Sequence, residues 1–266
     1  MKKDLTVGNP LKVILLFSIP ILIGNIFQQV YNMSDTIIVG NVLGLSALSA
    51  VGSTGSMVFL VLGFASGITS GVSVVTAQNI GAKDDENVRK SIISGALVSF
   101  VIGVILSVVG YYAAMPLLEI LETPSDIIEM AYDYISIIFL GLIITMFYNL
   151  LSSILRALGD SKTPLYFLII AAILNIILDI VFITIFSFGV KGVAIATVFA
   201  QFISGLLCLI YSFKKFEYFK FKRSDFNIPL KMIFNQIYIG LPMALQYSIT
   251  SIGMLILQMS LSSFVK

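Results

Sequence analysis

The amino-acid sequence predicts an all-α integral membrane protein, and two observations carry that prediction. Hydrophobic residues make up 58% of the 266 residues and charged residues only 11%, whereas soluble domains average about 25% charged residues. The charges also cluster between uncharged runs that reach the roughly 20 residues a helix needs to cross a bilayer. These runs predict seven membrane-spanning helices, at about 13–36, 54–80, 91–117, 130–155, 165–187, 191–213 and 235–264.

The first predicted span carries a row of polar side chains. They recur at three- and four-residue intervals, so they share one helical face. The row consists of Asn25, Gln28, Asn32 and Asp35. Lipid cannot satisfy such groups, so the row faces either partner helices or a cavity, and its terminal carboxylate favours a cavity. Pro20 removes a backbone hydrogen bond from the same helix, which predicts either a fixed kink or a hinge.

The second and third spans follow from breaks in a long apolar sequence. The stretch from Thr36 to Ala82 has 47 residues without a charge, so it must contain a turn. Three glycines qualify for that turn, namely Gly40, Gly44 and Gly52. A ladder of further glycines predicts close helix packing in the second span, at Gly63, Gly67 and Gly71. The third span follows the charged loop AKDDENVRK.

The charges in the connections predict the orientation of the chain. Basic connections alternate with acidic or nearly uncharged ones, and fourteen of the sixteen lysines and arginines fall on one side of the predicted bilayer. By the positive-inside rule that side is cytoplasmic, so the N-terminus is predicted to be cytoplasmic and the seventh span to run outward. The fourth span leads into the basic loop with Arg156 and Lys162, and no basic residue lies inside the predicted spans, since Lys191 marks the start of the sixth.

The fifth and sixth spans hold further polar groups inside the predicted membrane. Asn175 and Asp179 are four residues apart and share a helical face. At roughly 1.5 Å per residue, Asp179 lies about 22 Å from the cytoplasmic start of its helix. About 8 Å then remains to the outer face of a core about 30 Å thick. Thr197, early in the sixth span, falls in the same layer, as does Asp35 late in the first.

These carboxyl groups indicate ion coupling. An ionisable side chain inside a bilayer costs at least roughly 2.5–3.5 kcal/mol and usually faces a cavity or a bundle interior. Two neighbouring carboxyl groups in a low dielectric do not both ionise readily. That suits a site where a proton and another cation compete, and it equally suits Na+ held by Asp, Asn and Thr oxygens. The residues leave H+ and Na+ open, and two unrelated buried acids remain the structural alternative.

A basic segment divides the chain into three predicted parts. Residues 1–212 form a six-helix N-terminal lobe, 213–230 a basic cytoplasmic linker, and 231–266 the first helix of a second lobe. The segment LKMIFNQIYIGLPMALQ resembles the opening LKVILLFSIPILIGN, because both place Leu-Lys before an apolar helix with an Ile-Pro or Leu-Pro pair. Transporters are often built from two such repeats. The chain is therefore expected to be the first half, plus one helix, of a longer protein.

Five segments together resemble the multidrug and toxic compound extrusion (MATE) family of efflux transporters. They are TVGNPLKVILLFSIPILIGNIFQQVYNMSDTIIVG, AQNIGAKDDENVRK, LRALGDSKTP, NIILDIVF and GVKGVAIATVFAQ. The resemblance implies a twelve-helix fold of two six-helix lobes in a V, which alternates between outward-open and inward-open states. It also implies a bending proline at Pro20 and an acidic network that takes up H+ or Na+. The positions of that network here are Asp35, Asn175, Asp179 and Thr197.

Composition and the resemblance together predict the function. We expect a secondary active transporter rather than an enzyme, namely a cation-coupled multidrug antiporter in a bacterial plasma membrane. Its expected substrates are small organic compounds that are amphipathic and often cationic. No cofactor, nucleic-acid partner or metal other than Na+ at the acidic network is expected. Helices eight to twelve of such a fold are absent from this sequence, so the second lobe is an expected partner.

Three alternatives stay open. A lipid or lipid-linked oligosaccharide flippase of the same superfamily would be expected to place basic residues inside the membrane for phosphate, and the predicted spans hold none. A membrane-embedded transferase would need a histidine or a metal-binding Asp cluster at a membrane face. The sequence has no histidine, and Asp84 and Asp85 lie in a solvated loop. A non-transporting membrane partner would be favoured by a native stop at Lys266.

Overall fold

The computed structural model describes residues 10–264, apart from the side chains of residues 10, 251–252, 254–255 and 258–264. Within that range the chain forms α-helices joined by short connections. The helices are α1 (Pro10–Ile38), α2 (Leu45–Gly81), α3 (Asp85–Ile120), α4 (Ile128–Leu140), α5 (Leu142–Ala157), α6 (Lys162–Thr184), α7 (Val190–Lys215) and α8 (Leu230–Phe264).

The described helices make the chain an all-α membrane protein, as predicted. α1, α2, α3, α6 and α7 are each long and apolar enough to cross a membrane, and α4 with α5 qualifies as one bent span. The seventh predicted span, 235–264, falls within α8, and several side chains of α8 lie outside the described residues.

One of the three glycines named in the sequence analysis makes the turn between the first two helices. α1 continues into a π-helical turn at Val39–Leu43, and α2 begins at Leu45 rather than at the predicted 54. Gly44 makes the turn, with φ of 89° and ψ of −178°, a conformation that glycine adopts without steric cost. Gly40 and Gly52 lie within helical turns. The three glycines look alike in the sequence, and no local pattern selects one of them.

The fourth predicted span, 130–155, consists of two helices rather than one. The helix breaks at Gly141, where α4 and α5 meet at an angle of 47°. A Cβ on Gly141 would lie 2.3 Å from Cγ2 of Val198 on α7, so the missing side chain lets α7 pack directly against the backbone at the bend. Neither a charge nor a proline marks this point in the sequence, which is why an uninterrupted helix is the simpler prediction.

α2 and α8 form the most extensive helix pair within residues 10–264. Their backbones approach closely because glycines lie in the interface. A Cβ on Gly67 would lie 2.2 Å from the backbone nitrogen of Ala244, and a Cβ on Gly71 would lie 2.3 Å from Cα of Gly240. Such close approach brings many atoms within dispersion range. The glycine ladder of α2 therefore forms the surface against which α8 packs.

The basic segment between α7 and α8 folds back onto α3. Asp225 in this segment accepts a hydrogen bond of 2.8 Å from Nε of Arg89 in the second turn of α3. Gln236, fully buried near the start of α8, accepts a bond from the Ser94 hydroxyl and donates one to the Ser91 carbonyl, both at 2.8 Å. Polar contacts as well as packing therefore tie α8 to the preceding helices.

Candidate functional site

A cavity of about 460 Å³, lined by both apolar and polar side chains, lies between α1, α2, α4, α5, α6 and α7, with Tyr247 of α8 also in its lining. The polar row of α1 lines it, and Pro20 borders it on the same helix. The lining residues of that row are Asn25, Gln28, Asn32 and Asp35. The structure thus turns the row toward a cavity rather than into a tight interface between helices. The roles of these side chains in binding stay a prediction.

At one wall of this cavity, the four residues of the predicted acidic network come together from three helices. The Thr197 hydroxyl lies 3.4 Å from Oδ2 of Asp35 and 3.4 Å from Nδ2 of Asn175. The same amide nitrogen lies 3.4 Å from Oδ1 of Asp179. All four side chains are buried. They form one continuous polar chain across α1, α7 and α6, which we call the acid network.

The local sequence explains how the acid network assembles. Asn175 and Asp179 are one helical turn apart, so both project from the same face of α6. The chain then reverses between Thr184 and Val190, with Gly189 at φ of 57°, a left-handed conformation that favours glycine. α6 and α7 consequently pack as antiparallel neighbours. This pairing places Thr197, two turns into α7, opposite Asn175.

The acid network has more hydrogen-bond acceptors than donors. The single hydroxyl proton of Thr197 can go to Asp35 at 3.4 Å or to the Val193 carbonyl at 3.0 Å, but not to both. Three further oxygens are buried and accept no hydrogen bond from the part of the chain that is described: Oδ1 of Asp35, Oδ1 of Asn175 and Oδ2 of Asp179. Buried polar atoms are normally satisfied, so these oxygens are suited to a proton or a bound cation.

The two carboxyl groups of the acid network are linked to each other through Thr197 and Asn175. Two carboxyl groups that share a buried site do not both ionise readily, which favours a proton on one of them. A hard cation held by carboxylate, amide and hydroxyl oxygens could replace that proton. The geometry therefore fits either H+ or Na+.

Access to the acid network is from one side. Asp35 and Thr197 line the cavity, whereas Asn175 and Asp179 are fully buried and do not. A cation that arrives through the cavity consequently meets Asp35 first and reaches Asp179 behind it.

Two tyrosines beside the acid network were not predicted from the sequence. Tyr31 and Tyr134 are buried, and both line the cavity. Tyr31 precedes Asp35 by one turn of α1, so the helical face of the polar row could have identified it. Tyr134 comes from α4 and no local pattern connects it with Asp35. Its place depends on how α4 packs.

Arg156, which the sequence analysis places in the loop after the fourth span, belongs to a helix and reaches the cavity. Arg156 lies in the last turn of α5, within the bent span formed by α4 and α5, and its side chain lines the cavity. Its guanidinium donates to the hydroxyls of Ser152 at 2.8 Å and Ser153 at 2.9 Å. The predicted span stops at 155 because charge marks its end. Arg156 shares a helical face with Ser152, four residues earlier, and this shared face could have indicated that α5 continues to Arg156.

Comparison with known proteins gives consistent matches. The family model MatE matches residues 20–181. The probable multidrug resistance protein YpnP of Bacillus subtilis (strain 168) is 34% identical over 266 residues, which cover 98% of this chain and 58% of that protein. A solved structure of a MOP superfamily transporter from Pyrococcus furiosus Vc1 (DSM3638) is 30% identical with a TM-score of 0.86, covering 93% of this chain and 55% of that one.

A second solved structure, an outward-facing multidrug resistance MATE family transporter of the MOP superfamily, gives the same TM-score of 0.86 at 30% identity. It too is matched over 93% of this chain and 55% of its own length. The chain therefore spans about half the length of the proteins that it matches.

Proposed function

The chain belongs to the MATE family of efflux transporters, and from that premise we propose that it forms part of a cation-coupled multidrug antiporter. Residues 1–212 are its first lobe, 213–230 the linker, and 231–266 the start of the second lobe. The exported compounds are small, amphipathic and often cationic, and the membrane is a bacterial plasma membrane with the N-terminus in the cytoplasm. The observation that carries the proposal is the buried acid network at the wall of the cavity.

Exchange at this site follows from the position of Asp35. Among the described residues that line the cavity, Asp35 is the acidic one. Its negative charge therefore attracts an organic cation. A proton or Na+ on the acid network removes that charge, and the organic cation loses the group that holds it. Linkage makes the effect reciprocal, since each ligand weakens the other by the same factor. This mutual exclusion is what an antiporter requires.

Movement of α1 couples binding to transport in this proposal. α1 packs mainly along α6, and it touches α7 through Asp35 and Thr197. When Asp35 is neutralised, its hydrogen bond from Thr197 weakens and the hydroxyl can bond fully to the Val193 carbonyl. α1 is then free to bend at Pro20, which borders the cavity and lacks the backbone N–H that would hold the helix straight.

A transport assay with matched variants tests the proposal. The complete transporter that contains this segment is reconstituted in liposomes, and efflux of a cationic dye is driven by a pH gradient or a Na+ gradient. Asp35→Asn is expected to slow gradient-driven efflux by roughly 10- to 100-fold, because a charge-assisted contact contributes about 1.5–3 kcal/mol. Asp133→Asn, which removes a partly exposed carboxylate paired with Lys191 at 3.1 Å, should change efflux by less than about twofold.

The outcomes of this assay are distinct. Efflux by Asp35→Asn at the wild-type rate contradicts the proposal. A response to one gradient and not the other identifies the coupling ion.

A lipid or lipid-linked oligosaccharide flippase remains the second candidate, because Arg156 puts a basic side chain on the cavity wall. Such a protein would move a fluorescent phospholipid between leaflets in the same liposomes. The antiporter proposal predicts dye efflux that depends on a cation gradient and no lipid movement above that of protein-free liposomes.

A further inference from the structure

We propose that Arg156 and the hydroxyls around it form a second subsite of the cavity, which takes the phosphate, sulfonate or carboxylate group of an amphipathic substrate. The inference deepens the proposed function and rests on it in one respect, that the cavity is where the substrate binds. It does not depend on the coupling ion.

The cavity has opposite charges at its two ends. Of the described side chains that line it, Asp35 is the acidic one and Arg156 the basic one. Arg156 lies across the α5–α6 turn from Pro164, which also lines the cavity. Asp179, which Asn175 and Thr197 link to Asp35, follows Pro164 by fifteen residues of α6, or about 22 Å at the rise of a helix. An elongated molecule with an anionic end therefore matches the cavity in charge.

The guanidinium of Arg156 has more N–H donors than the hydrogen bonds it makes within the described part of the chain. It carries five N–H groups, and its bonds to Ser152 and Ser153 occupy one at Nη1 and one at Nη2. No described carboxylate lies within ion-pair distance of it. Asp160, the nearest acid in the sequence, instead accepts from Tyr211 at 2.8 Å and pairs with Lys215 at 3.5 Å. The positive charge and three N–H groups of Arg156 therefore remain for a ligand.

The direction of the side chain separates this subsite from an ordinary arginine at a helix end. An arginine that only marks topology extends its charged end toward the lipid headgroups and water. Arg156 instead turns back along α5 to the serines three and four residues before it, which holds the guanidinium against the cavity. Its planar fork suits two-point contact with a phosphate or carboxylate.

Polar groups that could complete the subsite lie on the same wall. Ser152 and Ser153 accept hydrogen bonds from Arg156, so their own hydroxyl protons can be donated to a ligand. Asn149, one turn before Ser153 on α5, also lines the cavity; its amide donates one proton to the Ser66 hydroxyl at 3.5 Å and has a second proton for a ligand. An anion here would exchange water for several hydrogen bonds, at least one of which is charge-assisted.

Titration calorimetry with a pair of matched probes tests the subsite. The protein is placed in phosphatidylcholine nanodiscs and titrated with 1-naphthyl phosphate and with (1-naphthylmethyl)trimethylammonium. Arg156→Gln is expected to weaken naphthyl phosphate binding by roughly 10- to 100-fold and to leave the cation within about twofold of wild type. Lys214→Gln, which removes an exposed positive charge from the last turn of α7, should change neither affinity by more than about twofold.

Three results would overturn the proposal. They are the absence of naphthyl phosphate binding to the wild type, wild-type affinity in Arg156→Gln, and equal loss of both probes, which would indicate a collapsed cavity. If Arg156→Gln fails to fold by circular dichroism, Arg156→Lys decides. It keeps the charge but loses the planar fork, so naphthyl phosphate should bind about three- to tenfold more weakly, and unchanged affinity overturns the proposal.

The lipid in the nanodisc identifies the source of the anionic group. If phosphatidylglycerol displaces naphthyl phosphate from the wild type, a lipid headgroup occupies the subsite; if naphthyl phosphate stays bound, a soluble substrate does. The result is also separable from the proposed function. Normal efflux by Asp35→Asn would contradict the proposed coupling mechanism but not the anion subsite. Wild-type affinity of Arg156→Gln for naphthyl phosphate would contradict the anion subsite but not the coupling mechanism.

Discussion

Replacing Gly71 by alanine is expected to push α8 away from α2. The added Cβ would lie 2.3 Å from Cα and 2.4 Å from the nitrogen of Gly240, and 2.8 Å from the carbonyl oxygen of Gln236. All three atoms belong to the backbone of α8, so no side-chain rotation relieves the clash. Carbon atoms in contact prefer a separation of about 3.5–4.0 Å, and full relief of the 2.3 Å contact therefore needs the two helices to move apart by more than about 1 Å.

The size of the effect can be worked out from this displacement. A gap of 0.5–1 Å forfeits roughly a quarter to a half of each dispersion contact, and overpacking typically costs about 1–3 kcal/mol. Alanine recovers about 0.5–1 kcal/mol because it is a better helix former than glycine. Since the contact involves backbone on both sides, we expect a net loss of about 2 kcal/mol for Gly71→Ala.

Gly55→Ala is the matched control in the same helix. A Cβ at Gly55 meets nothing within 4 Å, so this variant should gain the roughly 0.5–1 kcal/mol of helix propensity without a clash. The free energy of unfolding is measured by titration with SDS in mixed micelles, with helix content followed by far-ultraviolet circular dichroism. Trypsin cleavage in 213–230 provides a second measurement, because displacement of α8 releases this basic segment. Equal stability and equal cleavage of the two variants would refute the reasoning.

Three further predictions concern the acid network, α1 and the linker. Asp179→Asn should weaken Na+ or H+ binding, measured by isotope or pH-indicator titration, and by linkage it should make binding of the naphthyl cation less sensitive to that ion, although Asp179 does not line the cavity. Pro20→Ala restores a backbone hydrogen bond, so dye efflux should slow while cation binding persists; unchanged efflux would indicate a fixed kink. Burial alone would raise the pKa of Asp225, but the Lys222 backbone N–H and the Arg89 guanidinium outweigh it and lower that pKa. A lowered pKa stabilises the folded linker above the ordinary carboxyl value and loses that effect as pH falls through the folded value. Hydrogen exchange of the linker, corrected for intrinsic rates, should therefore stay constant down to about pH 5 and rise below about pH 4, and Asp225→Asn should abolish the change.

Several features of the candidate site can be predicted from sequence because they depend on one helix at a time. The shared face of Asn25, Gln28 and Asn32 follows from helical periodicity, and the structure turns that face to the cavity. The cost of burying Asp35 and Asp179 in an apolar run is equally local, and it singles out both residues before any contact is known.

Other features depend on how helices pack, and the sequence reasoning fails for them. The charge of Arg156 predicts the end of a span, yet the direction in which its side chain turns places it on the cavity wall. Gly141 resembles other glycines in apolar helices; Gly95 approaches a valine side chain just as closely, yet it lies within the unbroken α3. Tyr134 joins the cavity through the packing of α4, which no periodicity in its own segment indicates.

By itself, the sequence determined that this chain is a helical membrane protein with the residues of a MATE transporter, because transfer from water to lipid depends on the composition of each segment. It also determined which polar groups must find partners inside the bilayer. Only the tertiary structure decided which partners they find. Asp35 and Thr197, 162 residues apart, meet at 3.4 Å, and Arg156 faces the same cavity. Such contacts depend on helix rotation and crossing, which are set by packing between surfaces and not by the pattern of any single segment.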